Sequence, residues 1–337
     1  MKIAIVTINQ PSLDSASKLV EYLKDFDTTV YTKDGLSHNL DDVRLYNKLD
    51  DILPSAWHSY DAIICILAMG AVVRKIAPLL QDKSTDPAVI VINLALDKIV
   101  PLLSGHLGGA NDLSSILTDR LPNAQNFIST ATDQTNTLAF DMLAKQNGWK
   151  IKNLKELAPI SNALLNKQSI KVATYPSVFE KIANKKYLQL VDITKHQNAQ
   201  VVISPIIKSH KLTLCPKVSL GIGCNRDTPY DTIKEAVFLL LKKYDLSLDD
   251  VYTLASFEAK SDEAGLLEFA SKHNLEIKFY TKEDINSLED EFSHSASTKF
   301  FGLKGVAEPS SVLASRYKEL VVKKEVYFKS VTIALAI

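Results

Sequence analysis

The stretch Ser104-Gly105-His106-Leu107-Gly108-Gly109-Ala110-Asn111-Asp112 constrains this chain more than any other. An apolar run, Ile99–Leu103, leads into it and a helical pattern, Leu113–Leu121, leads out. It therefore reads as a strand, a glycine-rich turn and a helix start. Gly105, Gly108 and Gly109 let the backbone take a positive φ or pass close to another group at little cost. The free N–H groups of a helix start favour an anion. His106 lies inside the turn and carries the side chain that titrates nearest neutral pH. The spacing is not G-x-G-x-x-G, and no G-x-x-x-x-G-K-[ST] occurs in the chain, so neither nucleotide fingerprint is present. On physics alone, the same residues also make a tight strand–helix turn with a surface histidine.

The rest of the chain extends the strand–helix alternation. Ile3–Ile8, Thr28–Tyr31, Ala62–Leu67, Ala88–Ile92 and Asn126–Thr130 read as strands. Ser12 or Asp14 is the expected cap of the first helix. The segment after Met69-Gly70 reads as a helix with Arg74 in its first turn. Leu36–Trp57 is polar and gives no clear signal. Gly148-Trp149 closes a helix, and Asn153–Leu165 resumes one. Lys167–Pro216 is rich in Lys and Asn, with β-like runs at Ile170–Ala173 and Val201–Ile207, and reads as a small linking or lid domain. A second organised unit follows. Ser219–Cys224 is a strand, and Thr228, Pro229 and Asp231 resemble a capped helix start. Strands at Val251–Ala255, Ile277–Tyr280 and Val331–Ala336 alternate with helices at Glu263–His273 and Ser310–Leu320. The expected fold is α/β: two Rossmann-like units with mostly parallel sheets, 1–146 and 217–337, joined by a middle domain, 147–216. In such sheets ligands gather beyond the carboxyl ends of the strands, where Gly70/Arg74, Gly105/His106 and Thr130/Asp133 are expected to converge.

Composition bounds the partners. Lys+Arg and Asp+Glu balance at 39 each, which recommends neither a nucleic acid nor an anionic membrane. The three cysteines, Cys65, Cys215 and Cys224, are widely spaced and form no C-x-x-C. No apolar run reaches spanning length, and Met1–Val6 enters a strand without a signal-like apolar stretch, so a cytoplasmic protein is expected.

Several blocks, in one order, resemble the CbiG family of cobalamin (vitamin B12) biosynthesis, the cobalt-precorrin-5A hydrolases. Leu103–Asn111 resembles the family signature. Gly70-Ala71-Val72-Val73-Arg74, Ile76-Ala77-Pro78, Lys83 and Asp86-Pro87-Ala88-Val89 resemble the block ahead of it. Thr130-Ala131-Thr132-Asp133 resembles the block after it. Gly221-Ile222-Gly223-Cys224 with Arg226 and Thr228, and Val306-Ala307-Glu308-Pro309, resemble the CobE-like C-terminal domain. Two positions depart from the family pattern: Asn93-Leu94 stands where an Asp-Glu pair is usual, and Asp227 stands where glycine is usual.

The resemblance implies opening of the δ-lactone of a cobalt-bound tetrapyrrole with loss of acetaldehyde. The cobalt then arrives with the substrate, and no protein cofactor is expected. That chemistry needs an activated water, a donor for the carbonyl oxyanion and a proton relay. On this reading His106 is the base, with Asp133 or Glu308 orienting it or acting as acid, and N–H groups near Gly108 and Gly109 face the oxyanion. Arg74, Lys83 and Arg226 are the expected clamps for the substrate's carboxylates. Ser104, Gly105, Asn111, Thr132 and Cys224 complete the expected binding set. Contacts with other enzymes of the pathway and a homodimer are further expectations. A catalytically silent tetrapyrrole carrier of the same fold is the alternative, kept open by the change at Asn93-Leu94.

Overall fold

The computed structural model describes residues 1–82, 85–129, 137–293 and 302–337. The chain divides into two compact units, Met1–Thr137 and Leu138–Ile337. Among the described residues, no helix is long and apolar enough to cross a membrane.

The first unit comprises β1 (Lys2–Val6), α1 (Gln10–Glu21), β2 (Asp27–Lys33), β3 (Val43–Tyr46), α2 (Leu49–Ser59), β4 (Ala62–Cys65), α3 (Met69–Ile76), β5 (Ala88–Ile92), β6 (Lys98–Leu103), α4 (Ala110–Arg120) and β7 (Gln125–Asn126). Its described strands form one sheet in the order β3-β2-β1-β4-β5-β6-β7. The central strands are apolar at successive positions because both sheet faces are covered. On one face Ile3, Ile5, Ile64 and Ile90 pack with Leu13 and Leu19 of α1 and Leu113 and Leu117 of α4. On the other, Val6, Ile63, Cys65 and Val89 pack with Trp57 of α2 and Val72 and Ile76 of α3.

β1 to β5 run parallel, but β6 is antiparallel to β5, and β7 follows β6. Asn93–Asp97 makes the hairpin between β5 and β6. The Asn93 side chain accepts from the N–H groups of Asp97 and Lys98 at 3.1 and 3.0 Å. The departure at Asn93-Leu94 thus sits in a turn that asparagine closes well.

Three local expectations are corrected here. α1 is capped by Asn9, not by Ser12 or Asp14. The Asn9 side chain accepts from Ser12 N–H, and the Ser12 hydroxyl accepts from Asn9 N–H, so each satisfies a donor left over at the helix start. Arg74 lies in the last turn of α3, not the first. β7 ends at Asn126, and the expected strand end at Thr130 lies outside the described residues.

The second unit comprises α5 (Phe140–Asn147), β8 (Lys150–Lys152), α6 (Leu157–Leu165), β9 (Ile170–Thr174), α7 (Pro176–Glu180), β10 (Leu188–Asp192), β11 (Val201–Ile203) and β12 (Leu212–Cys215). It continues with β13 (Val218–Cys224), α8 (Tyr230–Lys243), β14 (Val251–Phe257), α9 (Ala264–Lys272), β15 (Ile277–Tyr280), α10 (Lys282–Ser287), α11 (Ala307–Ala314), β16 (Leu320–Tyr327) and β17 (Val331–Ala336). Two sheets form, β10-β9-β11-β12-β8 and β15-β14-β13-β17-β16, each parallel except for β8 in the first and β17 in the second. One apolar cluster runs through this unit, from Phe140 through Val172 and Leu220 to Ile337. The expected helix Ser310–Leu320 ends at Ala314, and β16 begins at Leu320. Pro229 caps α8 and precedes its first turn. The Thr228 hydroxyl donates to the Asn225 carbonyl rather than forming a capping box with Asp231.

Candidate functional site

The turn after β6 closes on itself. Ser104 leaves the strand in the left-handed region, at φ 55°, and Gly109 caps α4 at φ 86°. Between them the Ser104 carbonyl accepts the Ala110 N–H at 3.2 Å, and the Gly105 carbonyl accepts the Asn111 N–H at 3.0 Å. Glycine is required at two places by space. A Cβ on Gly105 would lie 2.8 Å from Asn111 Oδ1. One on Gly108 would lie 2.4 Å from Ser104 Cβ and 3.4 Å from the Asp86 carbonyl. Asn111 is buried and fills the turn from within, while His106 is half-buried on it.

Two features bear on chemistry. The Ser104 hydroxyl is buried and has no hydrogen-bond partner among the described residues. A non-glycine residue held at positive φ beside an unsatisfied buried hydroxyl is the kind of local cost that folded chains keep where function uses it. The expected oxyanion donors fare differently. The Gly109 N–H already donates to the His106 carbonyl at 3.1 Å, so the turn itself consumes it.

Sheet direction corrects the expected convergence. β5 and β6 are antiparallel, with Val89 opposite Leu103, so the carboxyl end of β6 lies at the amino edge of the parallel strands. Gly70 follows the carboxyl end of β4, at the other edge. The Arg74 guanidinium reaches back to donate to the Gly70 carbonyl at 2.9 Å and is exposed there. Gly70/Arg74 and Gly105/His106 therefore stand apart by the length of β5, roughly 15 Å. The signal for this was in the chain. Only Asn93–Asp97 separates β5 from β6, too few residues for a parallel crossover. Lys83, Thr132 and Asp133 lie outside the described residues.

Asp86, which the sequence places in a family block without a role, organises this turn. It is 7% exposed, accepts the Gln81 N–H at 3.1 Å and the Trp57 indole N–H at 3.4 Å, and presents its carbonyl to Gly108. A buried aspartate beside a turn is the available signal, since such a carboxylate must be held by donors.

In the second unit, the expected site residues are engaged in structure. Arg226 donates to Asp262 at 2.5 Å and reaches Glu263 at 3.5 Å. Asp227 takes the left-handed φ of 56° that glycine adopts more cheaply, and its N–H is held by Glu263. Burial pushes the Cys224 thiol up to about 11, so it is a thiol and not a nucleophilic thiolate near neutral pH. Glu308 is 2% exposed and accepts from Ser293 N–H, the Ser293 hydroxyl and Lys324 N–H at 2.7 to 2.8 Å. Burial pushes its carboxyl up, but those donors and the Lys324 charge outweigh it and hold the group below the ordinary glutamate value. These contacts join α11 to β16 through Glu308. Among the described residues, no group of three or more His, Cys, Asp or Glu is placed to hold a metal ion.

Cobalamin synthesis G N-terminal matches residues 51–133, the cobalamin biosynthesis central region matches 138–216, and Cobalamin synthesis G C-terminus matches 218–336. A Priestia megaterium protein named cobalt-precorrin-5A hydrolase is 33% identical over 308 residues, 85% of this chain and 81% of that one. Another of that name from Salmonella typhimurium is 30% identical over 274 residues, 77% of this chain and 78% of that one. A solved structure of a cobalamin biosynthesis protein G homologue from Sulfolobus solfataricus aligns over 99% of this chain and 96% of that one, at 22% identity and a TM-score of 0.41. With all three family parts present in order and a 33% identical relative matched along most of both chains, this chain belongs to the cobalamin synthesis G family.

Proposed function

We propose that this chain hydrolyses cobalt-precorrin-5A, opening the δ-lactone and releasing a two-carbon unit as acetaldehyde. The observation that carries the reading is the identity to a protein named for that substrate, which spans most of both chains. One water is consumed. Its oxygen adds to the lactone carbonyl carbon, the acyl C–O bond breaks, and a carboxylate forms. The freed alkoxy oxygen becomes the aldehyde oxygen as its carbon separates from the macrocycle, and the macrocycle carbon takes up a proton. Cobalt belongs to the substrate on this reading.

The glycine-rich turn supplies the groups this needs. His106 takes the proton from water and returns one at the carbon–carbon step, as a histidine near neutral pH does. The buried Ser104 hydroxyl, which has no partner among the described residues, donates to the lactone oxygen. The test is acetaldehyde release from cobalt-precorrin-5A by the wild type and by His106→Ala. Release by the wild type, reduced about a hundredfold or more in His106→Ala with substrate binding retained, is the expected result. Binding without release by the wild type overturns the hydrolase and leaves a carrier.

A further inference from the structure

The second unit holds a cavity of about 610 Å³ that none of the expected site residues line. Its volume is within the roughly 300–1,000 Å³ of small-molecule sites. One wall is aromatic and rigid. Trp149 and Tyr317 are 8% and 5% exposed, with ring centres 6.0 Å apart, and the Tyr317 hydroxyl donates to Asn147 Oδ1 at 3.3 Å. Tyr252 and Tyr280 line the same space.

The charged lining has one sign. Lys217, Lys278, Arg316 and Lys318 all line the cavity, and among its described lining residues there is no aspartate or glutamate. A fifth cation, Lys181, lies 5.0 Å from the Tyr317 ring centre and donates to the Arg316 carbonyl at 2.7 Å. Arg316 lies 5.7 Å from that ring centre, and Lys278 lies 5.9 Å from the Tyr252 ring centre. Burial, and then the charges of Lys181 and Lys278, hold the Lys318 ammonium below the ordinary lysine value. The nearby carboxylate of Glu276, 3.6 Å from Lys278, belongs to an exposed residue outside the lining.

Like charges gathered around a concave, partly apolar space repel one another and focus a positive potential into it. A ligand carrying several carboxylates removes that repulsion, and a flat apolar body beside those carboxylates meets the aromatic wall. A lone phosphate would use the cations and leave the rings idle. We propose that this cavity binds a ring-shaped polycarboxylate, with Lys217, Lys278, Arg316 and Lys318 gripping its carboxylate arms and the Trp149–Tyr317 wall taking its apolar edge. The identification of that ligand with the tetrapyrrole substrate rests on the proposed function; the site itself does not.

The test is titration of the full chain with uroporphyrin, an octacarboxylate tetrapyrrole, and with its tetracarboxylate relative coproporphyrin, following porphyrin fluorescence. The Lys217→Glu/Lys278→Glu double variant is expected to bind uroporphyrin about tenfold or more weakly, with a smaller effect on coproporphyrin. Arg316→Glu repeats the test at a separate position, and Lys24→Glu, an exposed change in the first unit, leaves affinity unchanged. Melting curves verify that each variant is folded. Uroporphyrin affinity within twofold of wild type in both cavity variants overturns the site. Acetaldehyde release from cobalt-precorrin-5A separates the two proposals. A wild type that binds uroporphyrin here but releases none removes the hydrolase and keeps the site. A double variant that binds and releases as the wild type does removes the site and keeps the hydrolase.

Discussion

The stretches 104–109 and 221–227 carry similar sequence signals, glycines and a basic residue at the end of an apolar strand, and use them in different ways. In the first, the glycines make room for parts of the same turn: Asn111 at Gly105, and Ser104 with the Asp86 carbonyl at Gly108. In the second, Gly221 makes room for a helix and Gly223 for the Thr332 hydroxyl of β17. A Cβ on Gly221 would lie 1.8 Å from the Ala307 carbonyl oxygen, because α11 rests directly on β13. The charged residues differ likewise. Arg226 is held by Asp262 and Glu263, whereas the first turn keeps a buried Ser104 hydroxyl that none of the described residues satisfies. A glycine cluster after a strand therefore reports close approach. Whether a ligand is what approaches depends on which polar groups are left unsatisfied.

The sharpest way to break this contrast is to add a methyl group at each turn. Gly221→Ala forces α11 off β13 and is expected to cost about 3 kcal/mol or more, while Gly108→Ala disturbs one turn and costs about 1–3 kcal/mol. Urea unfolding, with Trp149 reporting the second unit and Trp57 the first, orders the two. An equal or inverted ranking would mean the helix contact is not what fixes Gly221. A finer test is Ser104→Gly, which relieves the left-handed strain, worth about 1 kcal/mol, and adds a similar entropic cost in the unfolded chain. Stability should stay within about 1 kcal/mol of wild type while acetaldehyde release falls about tenfold or more, if the hydroxyl serves the reaction. Unchanged release would make this turn structural, like the other. The smallest effect is expected for Arg226→Gln. Its pair with Asp262 is exposed and the buried Glu263 keeps its Lys260 partner, so the unfolding midpoint should move little, and a clear drop would show that charge, rather than helix packing, holds the second turn.

The central strands were legible because burial on both faces demands unbroken apolar runs, as in Ala88–Ile92, which the structure forms with the expected bounds. Family membership was legible for a different reason, the order of several long motifs. Strand direction was not. An apolar run carries no arrow, and β6 was placed with the parallel strands although its five-residue connection to β5 forbids it. Caps slipped where a neighbour could do the same work, as Asn9 does for the expected Ser12. The basic cavity left little local trace, because Lys217, Lys278 and the Arg316/Lys318 pair come from three separate stretches and meet only after folding.

The reversed β5–β6 hairpin has a consequence for how the molecule is made. Pairing β1 with β4 must bring Ile3 to Ala62, across two helices and two other strands, whereas Asp86, Ser104 and Gly108 come together through a short local loop. Closing that loop forfeits little chain entropy and needs no crossover. The glycine-rich turn thus belongs to a segment able to form without waiting for the rest of the sheet. Faults there surface as slow maturation, with nascent chains lingering incomplete, even where the finished protein is as robust as before.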